Sequence, residues 1–211
     1  MSSIERLTDY FAKFPGIGFR QASRFVFFLL AEPEKNVAEF ISLIQGLKKE
    51  IRVCRYCNRF FAFDESSIRQ ECRICTDKSR DPKMLMLVCR DTDLETVESS
   101  GFYKGHYFVL GGSVPILEKK PSSKIREKEL LDEIGRRGKN GDLREIILAM
   151  NLNPEGENTA DYLEKFLSPL AKTFNLKLST LGRGLSTGTE IEYSDPDTIK
   201  NALKNRSAGI N

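Results

Sequence analysis

Cys54-Arg55-Tyr56-Cys57 and Cys72-Arg73-Ile74-Cys75, separated by residues 58–71, are the stretch on which the reading of this 211-residue chain turns. Each Cys-x-x-Cys is a tight knuckle that brings two sulfurs to one point, and two knuckles at this spacing converge on one tetrahedral ion. Zn–S bonds of about 2.3 Å then close an all-thiolate shell. The spacing therefore predicts one structural zinc ion per chain, held by Cys54, Cys57, Cys72 and Cys75, that folds a small module and leaves no position for a substrate. Two disulfides, or four unrelated core thiols, are the competing reading. The opening Met1-Ser2-Ser3-Ile4-Glu5-Arg6 carries no apolar export segment, which favours a reducing compartment and the metal. Arg52, Arg55, Arg59, Arg69 and Arg73 surround the ligands, a cationic surface suited to phosphate or to solubility alone.

At 40% hydrophobic residues the chain can bury a real core. Its 33 Lys plus Arg against 30 Asp plus Glu give a net charge of +3, so any basic character must be local. The apolar run 25–31 is far shorter than the ~20 residues of a spanning helix, and a cytoplasmic, nucleoid-associated protein is expected. Cys89, directly after the apolar run 84–88, reads as a small buried thiol.

Working outward toward the N-terminus, Ile4, Leu7, Phe11 and Phe14 recur at helical spacing, and a second helical run, 22–30, follows Pro15-Gly16-Ile17-Gly18. Pro33 suits the first turn of a third helix with the stripe Val37, Phe40, Ile41, Ile44, Leu47 and Ile51. Beyond the cysteines, strands are predicted at 84–89, 107–110, 145–150 and 176–181. They alternate with helices at 94–100, 125–136 and 159–174, with Pro169 marking a kink or an early end of the last. That alternation predicts a parallel sheet with crossover helices.

Two constellations carry chemistry. In Phe14-Pro15-Gly16-Ile17-Gly18-Phe19-Arg20-Gln21-Ala22-Ser23-Arg24 the glycines bring a turn close to a partner ahead of a helix N-terminus, which attracts phosphate. Arg20 and Arg24, four residues apart, share one face behind it. This resembles a helix-hairpin-helix element that grips nucleic-acid backbone; an ordinary helix corner is the alternative. In the second, the strand at 145–150 leads to Glu155-Gly156-Glu157-Asn158-Thr159-Ala160. The two carboxylates can hold a Mg²⁺ ion, or they can favour the dipole of a helix capped by Asn158.

Taken in order, these pieces resemble the RecR family of recombination mediators. The resemblance covers nearly the whole chain. It runs through the glycine turn, the four cysteines, Tyr107-Phe108-Val109-Leu110-Gly111-Gly112 and the segment 155–160, and then into Leu181-Gly182-Arg183-Gly184-Leu185, Glu190-Ile191-Glu192-Tyr193 and Asp195-x-x-Thr198-Ile199-x-x-Ala202-Leu203. It implies an α+β multi-module chain: a helix-hairpin-helix region at 1–53, a four-cysteine zinc module at 54–78, a Toprim-like α/β domain at 79–176 and a C-terminal strand and helix at 177–211 serving assembly. It also implies a homo-oligomeric ring, with a tetramer favoured, that encircles or clasps DNA.

Three departures from the family pattern stand out. Toprim enzymes hold a catalytic metal between a glutamate after the first strand and the later acidic pair, and an ungapped match puts Cys89 at that glutamate, with Asp91 or Asp93 the only nearby substitutes. The loop after Gly112 is replaced by Ser113-Val114-Pro115-Ile116-Leu117-Glu118-Lys119-Lys120-Pro121. Phe28 stands where the family commonly has histidine.

The expected function is a non-enzymatic mediator that binds single-stranded or gapped DNA through Arg20 and Arg24 without reading sequence. It would work with RecO-like and RecF-like proteins to load a recombinase, with Glu155 and Glu157 on a partner surface. The rivals are a metal-dependent Toprim nuclease or primase using Glu155 and Glu157, and a zinc-bearing interaction scaffold. His106 is expected at the surface or at a strand entry, Arg183 at the assembly contacts, and Tyr162, Tyr193 and Phe102 in the core or an interface.

Overall fold

The computed structural model describes residues 1–63 and 70–206, and the chain divides into two compact units, residues 1–51 with 62–66 and residues 52–61 with 67–211.

The first unit is helical. α1 (Ser3–Phe11) begins at a capping box in which Ser2 accepts from the Glu5 N–H and Glu5 accepts from the Ser2 N–H. The turn that follows places Gly16 at φ 74°, and α2 (Phe19–Ala31) and α3 (Glu34–Glu50) complete the unit. The first helix stops at Phe11 because Phe14 already belongs to the turn, where its N–H donates to the Phe11 carbonyl. Phe11 meets Phe14 and Phe25 edge-on, each at 5.7 Å, and Ala22 and Val26 are buried. α3 buries none of its residues within the unit. A short ribbon of β1 (Ile51–Val53) and β2 (Phe60–Ala62) lies where the chain passes between the units.

The second unit is built on four parallel strands: β3 (Met84–Val88), β4 (His106–Val109), β5 (Glu145–Ala149) and β6 (Lys177–Thr180), in the order β4-β3-β5-β6. β6, which the division at residue 177 puts in the C-terminal region, pairs with β5 and is the fourth strand of the sheet. A parallel sheet must be covered on both faces. Period-two alternation sends Leu85, Leu87, Phe108 and Ile146 into one core, under α6 (Glu127–Lys139) and α7 (Pro154–Phe174). The opposite residues Met86, Val88, Tyr107 and Val109 pack with Leu94 of α5 (Asp91–Ser100) and with Cys54, Cys57, Cys72 and Ile74. The cysteine knuckles, with the short α4 (Arg73–Thr76), thus take the place of a covering helix on that face. The chain ends its described course in α8 (Pro196–Lys204).

α7 differs from the sequence reading at its start. It begins at Pro154, not at 159, because Asn153 rather than Asn158 is the N-cap: its side-chain oxygen accepts the Gly156 N–H at 2.8 Å. Asn158 instead donates to the Val114 carbonyl at 2.9 Å. The helix runs through Pro169 to Phe174, so the early end does not occur. Gly156 is required by packing, since a Cβ there would lie 2.1 Å from the Asn151 carbonyl oxygen. Tyr162 packs partly buried against the core, whereas Phe102 (92% exposed) and Tyr193 (78% exposed) lie at the surface. A core role is therefore wrong for those two, because neither falls on a buried face of a helix or strand.

Candidate functional site

The four cysteine sulfurs all lie within 4.8 Å of one another. Cys54 and Cys75 are separated by 3.8 Å and Cys57 and Cys72 by 3.5 Å, far beyond a disulfide bond of about 2.05 Å and close to the edge of about 3.8 Å expected for a tetrahedron with 2.3 Å metal–sulfur bonds. Backbone geometry holds them there. Asn58, at φ 57°, turns the first knuckle and donates its N–H to the Cys54 carbonyl at 3.0 Å, while the Cys72 N–H points at the Cys54 sulfur at 3.4 Å. Crowding alone splits the thiol titrations. Cys75 is pushed up, first by its hydrogen bond with Cys54 and then by those with Cys57 and Cys72; Cys54 is pulled down, first by Cys57. A cation that takes all four as thiolates removes that competition, and the donor set fits a structural divalent metal.

The arginines around the module divide by role. Arg55 and Arg73 are exposed, and Arg55 lies over the Tyr56 ring at 4.8 Å. Arg59 is nearly buried and faces Glu95 at 3.6 Å, so it is structural. Arg52 is exposed, and Arg69 falls outside the described residues. Arg136 also lies over the Tyr56 ring, at 4.5 Å, and Arg126 donates to the carbonyls of Asn58 and Val109.

In the helical unit, Gly18 is the N-cap of α2 and offers no side chain to its first turn. Gln21 and Ala22 donate back to the Gly18 carbonyl, and the Phe19 and Arg20 N–H groups have no partner among the described residues. Arg20 and Arg24 are both exposed within the first two turns.

The third constellation lies at the carboxyl ends of β3, β5 and β6, where open α/β sheets place ligands. Glu155 and Glu157 stand in the first turn of α7. Glu155 accepts from the Ser113 hydroxyl, and Glu157 accepts from Arg183 Nη1 at 2.8 Å. Cys89 is buried, donates to the Met150 sulfur at 3.4 Å and is pushed up to about 11, chiefly by burial and then by Asp93. The two substitutes are engaged elsewhere. Asp91 accepts the Phe60 N–H at 2.7 Å, and Asp93 accepts the Arg90 N–H at 2.9 Å as part of the α5 start. This donor set does not fit a Toprim metal, which wants hard oxygen ligands.

His106 begins β4 at the strand entry, buried, with Nδ1 unpartnered. Two partners were missed in the sequence. Ser113 has no local signal, because its contact spans 42 residues. The cap at Asn153 had one, the Asn-Pro pair that marks a helix start.

Comparison with known proteins matches residues 83–181 to the Toprim domain and residues 184–207 to the C-terminal region of RecR. The recombination protein RecR of Lactobacillus helveticus is 35% identical over 205 residues, covering 97% of this chain and 96% of the relative. That of Dehalococcoides mccartyi is 35% identical over 204 residues (97% and 93%), and that of Staphylococcus aureus 34% over 204 residues (97% and 96%).

Proposed function

The chain belongs to the RecR family, and we propose that it is a non-enzymatic mediator of recombinational repair that binds single-stranded or gapped DNA and, with RecO-like and RecF-like proteins, loads a recombinase onto strands coated by single-strand-binding protein. The observation that carries the reading is the start of α2: two unpartnered backbone N–H groups and two exposed arginines on consecutive turns. Such an arrangement neutralises phosphates and ignores bases. The four cysteines would hold zinc, and the metal would fix the module against the sheet.

Assembly into a ring, a tetramer by preference, is supported by apolar surface that one copy of the helical unit leaves open. Leu43, Ile44 and Leu47 of α3 are each about half exposed or more. A nuclease or primase reading would need a third carboxylate beside Glu155 and Glu157, and Cys89 with its neutral thiol does not supply it.

The test is reconstitution. On gapped DNA coated by single-strand-binding protein, the chain with a RecO-like partner should accelerate recombinase filament growth and leave the strands uncut in Mg²⁺ or Mn²⁺. Metal-dependent cleavage that disappears on Glu155→Ala/Glu157→Ala substitution would promote the nuclease instead.

A further inference from the structure

We infer that Arg183 is the resident cation of the acidic turn: its guanidinium pairs with Glu157, closes the Glu155–Glu157 turn to Mg²⁺ and ties the C-terminal segment to the sheet. The inference concerns this pair alone and holds whether or not the chain loads a recombinase.

One oxygen of each carboxylate that a metal would use already has a partner. Glu157 accepts Arg183 Nη1 at 2.8 Å, and Glu155 accepts Ser113. The third position offers a buried thiol bonded to Met150, and both nearby aspartates are tied to backbone N–H groups. With the thiol neutral, the site presents two negative charges, and the arginine cancels one of them. A divalent ion would therefore find half the charge that attracts it, with a fixed positive group a few ångströms away.

Arg183 is braced for this role. It follows β6 in Gly182-Arg183-Gly184, and its carbonyl accepts the Asn205 side-chain amide at 2.7 Å at the end of α8. The contact with Glu157 spans 26 residues, so it joins the first turn of α7 to the segment after the sheet. Beside it opens a polar cavity of about 320 Å³ lined in part by Asn153, Glu157, Arg183, Asp195 and Asp197. Without the guanidinium, Glu157 would face that cavity, which has room for a hydrated ion.

Mn²⁺ is the probe, with free ion followed by electron paramagnetic resonance in the zinc-loaded, full-length chain. The wild type and Arg183→Lys should bind Mn²⁺ equally poorly. Arg183→Gln should bind it at least about tenfold tighter, as removal of a fixed positive charge requires. Adding Glu157→Gln should erase that gain, and Glu157→Gln alone should gain nothing. Zinc content and thermal midpoint report folding. Should Arg183→Gln fold poorly, Arg183→Met provides the same charge removal. Equal Mn²⁺ affinity in the wild type and the neutral variants overturns the inference, as does a gain that survives Glu157→Gln.

Discussion

The backbone N–H of Val109 donates to the carbonyl of Cys57 at 2.8 Å, so a cysteine knuckle is hydrogen-bonded to β4, the edge strand of the parallel sheet. An open edge is a template for unwanted pairing, and here the metal module takes up the N–H of the last residue of that strand. The same module fills the second core with Cys54, Cys57, Cys72 and Ile74 against Met86, Val88 and Tyr107.

Metal loss should accordingly unfold the sheet and not only the knuckles. Structural zinc contributes an apparent ~10–16 kcal/mol in small zinc modules, comparable to the roughly 5–15 kcal/mol by which whole domains are stable. Chelation, or Cys54→Ser or Cys72→Ser, should remove one zinc per chain and abolish the cooperative melt of the second unit. Circular dichroism with metal analysis checks this. A zinc-free chain with an unchanged melt would contradict it.

Gly156 gives a packing prediction with an internal control. Gly156→Ala would set a Cβ 2.1 Å from the Asn151 carbonyl oxygen and should cost about 1–3 kcal/mol, as overpacking does. Gly135→Ala, inside α6 with no atom within 4 Å of the new Cβ, should instead stabilise by up to ~1 kcal/mol. Urea denaturation separates the two signs.

His106 gives a pH signature. Burial, followed by the positive charges of Arg137 and Arg80 and opposed by Glu133, lowers it to about 4. Above pH 6.5 the histidine is neutral in both states and contributes no slope. Between 6.5 and about 4 the unfolded chain takes up a proton that the folded chain refuses, so stability falls as pH falls through this window. Below that, both states are protonated. His106→Gln should flatten this part of the stability profile relative to the wild type; an unchanged slope would assign the acid sensitivity to other groups.

The fold was legible wherever a signal was local and periodic. Unbroken apolar runs at residues 84–88 and 146–149 specified buried strands, their alternation with helices specified a parallel sheet, and the cysteine spacing specified one convergent cluster. Helix starts were less legible. Asn153 and Asn158 are both good caps by type, and the signal that separates them is Pro154, which directly follows Asn153 and suits the first helical position. The site was readable as to residue type but not as to pairing. Arg183 and Glu157 meet across 26 residues, and Ser113 and Glu155 across 42, so only the folded sheet brings them together. Arg59 showed the opposite failure: it looked like free surface charge and is packed against Glu95.

The most direct test of the central claim is the salt dependence of DNA binding by Arg20→Ala/Arg24→Ala. Log affinity for unrelated single-stranded and gapped DNAs should fall linearly with log salt for the wild type. In the double variant the slope should be shallower by about one unit per arginine, affinity should drop alike for every sequence, and zinc content and assembly should be retained. An unchanged slope and affinity would contradict the account, removing DNA from the start of α2 and leaving the hairpin an ordinary helix corner.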